Sequence, residues 1–279
     1  MKKKNMPGFR RADADAIANP MIFLHSMRLF LLFLGLVCLI APARAAAPPA
    51  FAVAGATSGA ELALADGRTA KLDGIAAPLP ATAALARQAR DALQSLIGKQ
   101  SVMLEDSSVD RYGRIAAQVY VIDAKGGKIW LQGAMLKSGL VFVYPPTGKE
   151  ARLADMLKLE AKARAAKAGI WADAFYVDVP AAEAWQAEGR FAFVRGMVVH
   201  AARGRGKIYL DFDKDWKKER RRAFTAVIEG SAWRAFRKAG VDPLAYEGRM
   251  VRVRGWIMRD PGPSITVADP GQIEIISAQ

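Results

Sequence analysis

Hydrophobic and polar positions alternate in short, turn-marked stretches over most of the chain. Phe51–Thr57, Glu61–Ala65 and Thr69–Ile75 each have the pattern of a strand, and Asp66-Gly67 supplies a hairpin turn before the third. From Ala81 to Gly98 the period changes. Leu85, Ala89, Leu93 and Leu96 fall on one helical face, with Arg87, Arg90 and Asp91 away from it, and Gly98 is placed as a C-cap. Ser101–Asp106 and Ile115–Ile122 are two further strands, joined through Asp110-Arg111-Tyr112-Gly113-Arg114. A short helix over Leu131–Ser138, a strand over Val141–Tyr144 and a long helix over Glu150–Ala168 close this part at Gly169-Ile170-Trp171.

The same order then recurs. Phe191–Ala201 and Lys207–Phe212 have strand patterns around an Arg203-Gly204-Arg205-Gly206 turn, and Phe224–Glu229 is a third strand. Ser231–Ala239 is a short helix with Ser231 as N-cap and Gly240 as terminator. Arg249–Met258 follows, then Ser264–Val267 continuing to Ile273–Ile276. Three strands, a helix and two more strands is the order of a five-stranded Greek-key barrel, the OB-fold. The predicted class is therefore mainly β with helices (α+β): two five-stranded barrels in tandem, the first with a long C-terminal helix. The first domain spans residues 51–173 and the second 190–279, with 174–189, containing Pro180 and Trp185, as a loosely packed linker.

Ahead of both lies Leu29–Ile40, a charge-free apolar run of 12 residues, preceded by Arg28 and followed by APARAAAPP. That is the pattern of a secretory signal with cleavage near Ala45, so residues 1–45 are expected to be a leader and the protein periplasmic or secreted. A run of this length is too short to cross roughly 30 Å of hydrocarbon as a helix, so no membrane span is expected in the mature chain. The leader carries Cys38 and His25, which leaves the mature chain without cysteine and with His200 alone among histidines. Disulfides, thiol catalysis and Cys/His zinc sites drop out.

Charge is distributed unevenly. Residues 46–189 hold 16 basic and 15 acidic residues, whereas residues 190–279 hold 18 and 10. The basic field thus belongs to the C-terminal third, and such a field attracts nucleic acid or another polyanion.

The ordered strings ADGRTAKLDGIAAP, DRYGRIAAQVYV, WLQGAMLKSGLVFVYPP and LEAKARAAKAGIW resemble the thermonuclease (staphylococcal-nuclease-like) family from about Phe51 to Trp171. The resemblance implies phosphodiester hydrolysis on DNA and RNA with Ca²⁺. In that scheme two aspartates hold the cation, a glutamate orients or deprotonates water, and two arginines stabilise the phosphorane. Arg114 matches one arginine, and Lys71 stands where the other belongs, keeping the charge but losing the bidentate fork. Ala60 occupies the first aspartate position, Ala76 the second and Leu79 the glutamate. By this correspondence no metal site and no cofactor is expected; Ca²⁺ is implied only if Glu61 or Asp73 substitutes by a shifted register. Two or more acidic side chains converging beside Arg114 would restore the enzyme reading. Tyr112 and Tyr144 fall where the family has tyrosines near the bound nucleotide, as stacking or packing groups.

The second domain resembles an OB-like extension found beside some exported members of that family, through IYLDFDKDW, AFTAVIE and EGRMVRVRGWIMRDPGPSITVADPGQIEII. Its loop Asp213–Arg222 sets Trp216 among Lys217, Lys218, Arg220, Arg221 and Arg222, cations for phosphates and an aromatic face for a base. Asp211, Asp213 and Asp215 are expected to be salt partners of that run, and His200 a surface residue without partners. Three functions stay open: a nucleic-acid or polyanion binding module without nuclease activity, an active Ca²⁺-dependent nuclease using displaced carboxylates, and an envelope scaffold for protein or cell-wall polymer.

Overall fold

The computed structural model describes residues 50–123, 125–144 and 152–276. The expected leader, and with it the predicted cleavage point, lies outside the described residues.

The first barrel uses β1 (Ala50–Phe51), β2 (Val53–Ser58), β3 (Glu61–Leu64), β4 (Thr69–Leu72) and β5 (Ile75–Ala76), then helix α1 (Ala83–Ile97). It continues through β6 (Val102–Val109), β7 (Ile115–Ile122), β8 (Lys128–Trp130), α2 (Leu131–Lys137), β9 (Phe142–Val143) and α3 (Leu153–Ala165). The sheet order is β1-β6-β7-β4-β3-β2, with β8 beside β7. β1 and β2 form one strand broken at Ala52. Its first half pairs with β6 and its second with β3, so the sheet curls into a barrel, while β4 and β7 run parallel. Leu62, Leu64, Ala70 and Leu72 alternate inward against Leu93 and Ile97 of α1 and Leu131 and Met135 of α2. Gly98 ends α1 in positive φ, its N–H donating to the Gln94 carbonyl, as the pattern predicted.

The second barrel repeats this topology with β10 (Val179–Pro180), β11 (Phe191–Met197), β12 (His200–Gly204), β13 (Lys207–Asp211), β14 (Thr225–Ile228), α4 (Trp233–Lys238), β15 (Met250–Arg259), β16 (Pro263–Val267) and β17 (Ile273–Ile275). β11 and β12 are again two halves of one strand, bent at Val198-Val199; the first pairs with β15 and the second with β13. β14 and β16 are parallel, the counterpart of β4 and β7. The fold is two OB-type barrels in tandem.

Three local expectations are corrected. Ile273–Ile276 does not continue the strand at Ser264–Val267: a 3₁₀ turn at Pro270–Gln272, capped by Asp269, reverses the chain so that β17 pairs with the other end of β15. Ser231 does not cap the short helix; it sits inside a 3₁₀ turn, Gly230–Ala232, that leads into α4. Residues 174–189 are not loosely packed. Ala181, Ala184 and Ala187 lie at the three-residue period of a 3₁₀ helix and bury one face in the second core. Val179–Pro180 adds a parallel strand to β11, and Tyr176 is buried with its hydroxyl accepting from the Leu79 N–H at 3.0 Å.

The two barrels share a third core of Phe142, Trp171, Tyr176, Phe191 and Phe193, in which the rings meet edge-on or tilted at 4.9–6.2 Å. Around it runs a chain of ion pairs, buried at Glu160 and Arg254 and half-buried elsewhere, joining Glu160 and Arg164 of α3, Asp178 of the connector, and Arg252 and Arg254 of β15. Gly139 and Gly169 bring the two ends of the first barrel's helical layer together. Both have positive φ, the Ile170 N–H donates to the Gly139 carbonyl at 2.9 Å, and a side chain on either glycine would strike the other's backbone neighbourhood.

Candidate functional site

Asp110 shapes the hairpin between β6 and β7. Its Oδ1 accepts from the N–H groups of Tyr112 and Arg114 at 2.9 and 3.0 Å, and its Oδ2 from Arg114 Nε at 2.8 Å. Gly113 supplies the positive φ that closes the turn. Arg114 Nη1 reaches the Glu61 carboxylate at the start of β3, and Glu61 stands opposite Lys71 of β4 in the strand register. Two acidic side chains therefore converge on Arg114, the arrangement that the sequence expectation named as restoring the enzyme reading. They do so as its ion-pair partners, occupying Nε, Nη1 and Nη2. Partial burial works to raise the Asp110 carboxyl, but Arg114 and the two turn amides hold it below the usual carboxylate range. Asp73 stands half-buried in the turn after β4.

The positions that by resemblance would carry the two cation-holding aspartates and the glutamate are apolar in their surroundings as well as in identity. Ala60 belongs to the first barrel's core, in a turn whose Gly59 lies so near α1 that an added Cβ would come within 2.6 Å of Ala89. Ala76 and Leu79 pack against the aromatic core that the second barrel helps to form. Tyr144 packs there too, edge-on to Phe191 at 5.5 Å, and burial pushes its hydroxyl up. Tyr112, by contrast, is 66% exposed, with the Arg111 and Arg114 guanidinium carbons 4.8 and 5.0 Å from its ring centre. Ca²⁺ takes six to eight oxygen ligands, and among the described residues no group of three or more acidic or histidine side chains is gathered to offer them. The side chains of Ala60, Ala76 and Leu79 have no oxygen to offer such an ion.

Comparison with known proteins agrees with this half of the fold. The family model described as Staphylococcal nuclease homologue matches residues 69–173, from β4 to the end of the first helical layer. The chain carries a thermonuclease-like domain. Micrococcal nuclease of Shigella flexneri is 33% identical over 94 residues, 32% of this chain and 53% of its own length. Protein ParB of Escherichia coli is 29% identical over 99 residues, 34% of this chain and 55% of its own. The chain spans about half the length of the curated relatives it matches. The Gly59-Ala60 turn lies ahead of the segment matched by the family model.

Beside the thermonuclease-like barrel, the second one presents the basic loop Asp213–Arg222 between β13 and β14. Lys217, Lys218, Arg220, Arg221 and Arg222 are exposed. Trp216 is half-buried and stacks on His200 of β12, rings 5.3 Å apart and inclined by 16°. Lys217 Nζ lies 5.2 Å from the Trp216 ring centre, and Arg222 covers Trp185 of the connector at 5.0 Å. His200 is not a residue without partners: its Nδ1 is 3.0 Å from Oδ2 of Asp211, whose Oδ1 accepts from the Thr225 hydroxyl at 3.0 Å. Asp211 is 3% exposed and serves this chain rather than the basic run. Asp215 does pair with the run, through Lys218 at 3.7 Å, and Asp213 Oδ1 accepts from the Asp215 N–H.

The loop, β12–β14 and the β15–β16 hairpin enclose a cleft of about 590 Å³. Arg203, Arg205, Lys207 and Tyr209 line it and were not singled out from the sequence. The signal that marks the floor is positional. His200 and Ala202, Tyr209 and Asp211, and Thr225 and Val227 stand two apart on successive strands, which places them on one sheet face.

Proposed function

We propose that this is an exported nucleic-acid-binding protein whose thermonuclease-like domain has lost hydrolysis and whose second barrel supplies the grip. The observation that carries the reading is the packing of Ala76 and Leu79 against the aromatic core completed by Tyr176, Phe191 and Phe193. Where a family nuclease would hold calcium and orient water, this chain has alkyl groups, Ala60 in the first barrel's core and Ala76 and Leu79 half-buried against the core the two barrels share. Loss of a positioned base alone lowers a rate by about 10²–10⁴, and removal of the metal compounds it. Lys71 keeps a cation at one family position, whereas the Arg114 guanidinium is taken up by Asp110 and Glu61, and the uneven charge distribution puts the stronger field on the second barrel. The Leu29–Ile40 run with its small-residue flank supports export, and no described helix is long and apolar enough to cross a membrane.

Plasmid DNA incubated with the protein and Ca²⁺, with and without chelator, tests the reading: intact plasmid in both arms is the expected result. A second reading is favoured by one observation, the convergence of Asp110 and Glu61 on Arg114. It takes these as displaced carboxylates of an active phosphodiesterase. Chelator-sensitive cutting that disappears in Arg114→Ala would establish this second reading and overturn the first.

A further inference from the structure

We propose that the cleft on the second barrel holds one nucleotide unit of a single-stranded nucleic acid, with the base against Tyr209 and a phosphate between His200 and the guanidinium groups around the mouth. This rests on the nucleic-acid reading above and specifies its site.

The floor of the cleft consists of two cross-strand rows. His200, Asp211 and Thr225 are direct partners in register across β12, β13 and β14, and Ala202, Tyr209 and Val227 form the next row on the same face. The first row is a continuous hydrogen-bond chain, from the Thr225 hydroxyl to Asp211 to the His200 ring. A carboxylate accepts, so Nδ1 carries the proton in that contact, and Nε2 is the ring nitrogen left for a ligand. The stack on Trp216 fixes the ring plane from the other side. An imidazole anchored at two points is a positioned group, and in its imidazolium form Nε2–H donates to a phosphate oxygen. The second row offers a half-buried tyrosine. Gly204 keeps the space beside it open, since a Cβ there would stand 3.6 Å from the Tyr209 ring. Two rows on one face are roughly 7 Å apart along the strand, a separation suited to a stacked base and its own phosphate.

The walls are mainly basic, with Asp260 of the β15–β16 hairpin the acidic residue among them. Arg205 and Arg220 line the cleft and form no ion pair with another described residue, whereas the Arg203 guanidinium lies over the Trp233 ring at 5.2 Å and Lys207 is engaged by Glu229 at 2.9 Å. Gly262 of the β15–β16 hairpin touches the basic loop so closely that any side chain would run into the Arg220 carbonyl, with the Ala223 carbonyl 3.2 Å away. Glycine there lets the two walls meet. A single strand, with its bases free to turn onto an aromatic ring, fits such a cleft; a duplex keeps its bases stacked inside.

The test uses the full chain and two probes: a fluorescent oligothymidylate, and inorganic polyphosphate, which has the charge but no bases. Thermal unfolding of every variant is recorded alongside. Tyr209→Leu is expected to weaken oligothymidylate about tenfold and to leave polyphosphate unchanged. His200→Gln is expected to weaken both by about three- to tenfold. Asp211→Asn should do the same, and the double variant no more, because Asp211 acts by positioning His200. Equal binding of the two probes, with Tyr209→Leu and His200→Gln both silent, would overturn this site while leaving polyanion binding intact. Failure of oligothymidylate to bind wild type would instead overturn the nucleic-acid reading itself.

Discussion

Arg254 of the second barrel and Glu160 of the first form an ion pair at 3.0 Å, with side chains 0% and 2% exposed. The pair is woven into the backbone of the first barrel: Arg254 Nη1 also donates to the Val143 carbonyl at 2.7 Å, and Glu160 Oε2 accepts the Val143 N–H. Nη2 lies against the carboxylates of Glu160 and Glu274 as a charge contact. Three arginines, 164, 252 and 254, face three acids, Glu160, Asp178 and Glu274, so the network around this buried pair is balanced.

Breaking that balance is expected to be severe. Arg254→Met leaves Glu160 buried with fewer cations, and Glu160→Gln leaves Arg254 in the same position; each should lower stability by about 3–5 kcal/mol. Removing both charges together, as Arg254→Met with Glu160→Leu, should cost less than either single change, because no uncompensated charge remains. Denaturant unfolding of the three variants measures this, and additive losses would contradict it. Wild type should unfold in one transition, since the network and the aromatic core fasten the two barrels together.

The same residue sets an acid limit. Burial opposes ionisation of Glu160, but Arg254 and Arg164 outweigh it and hold the carboxyl below the ordinary glutamate value. With the folded pKa below the unfolded one, the stabilisation is present above the ordinary glutamate range and is lost as pH falls through the folded value. Asp269 acts in the opposite sense, since burial raises its carboxyl. Stability measured from neutral pH downwards should therefore fall below about pH 4, and Glu160→Gln should show a shallower decline from a lower starting point. An unchanged slope in the variant would remove Glu160 as the cause.

Much of the architecture was legible because period and punctuation agreed. Glu61–Leu64 and Thr69–Leu72 alternate around Asp66-Gly67, and α1 carries a helical period ended by Gly98. The repeated order of strands also announced two barrels. What local pattern could not provide was partnership at a distance. His200 and Asp211 are 11 positions apart and meet because β12 and β13 pair in that register. Arg254 and Glu160 are separated by 94 positions and belong to different barrels. The connector's packing is hidden in the sequence because alanines at spacing three lack the bulk that marks a core-facing helix, although Ala181, Ala184 and Ala187 are all buried. At the thermonuclease-like site the sequence showed which residue types stand at the family positions, but the packing of Ala76 and Leu79 against the second barrel required the fold.

That packing makes a restoration experiment informative. Writing carboxylates back as Ala76→Asp and Leu79→Glu places charge against Phe142, Tyr176 and Phe191 rather than in an open pocket. The expected outcome is a loss of about 1–3 kcal/mol per substitution and no Ca²⁺-dependent cleavage. Differential scanning calorimetry with and without Ca²⁺ gives the answer, since a rebuilt site would raise the unfolding temperature when the ion is added. A rise of several degrees, with plasmid cutting, would show that the pocket survives beneath the apolar side chains.

The last prediction concerns where binding free energy originates. If phosphates are held mainly by the second barrel, log K for single-stranded DNA should fall linearly with log salt, by about 0.7 for each phosphate neutralised. Charge reversal of Arg220, Arg221 and Arg222 should both weaken binding at low salt and flatten that slope, because fewer counterions are released. Reversal of Lys71 and Arg111 on the thermonuclease-like barrel should change the slope less. Arg114 is a poorer probe: its guanidinium already holds Asp110 and Glu61, so altering it disturbs the β6–β7 turn as well as the charge. Titrations at three or more salt concentrations separate the two barrels. A slope that responds to Lys71 and Arg111 and ignores the 220–222 run would move the grip to the first barrel.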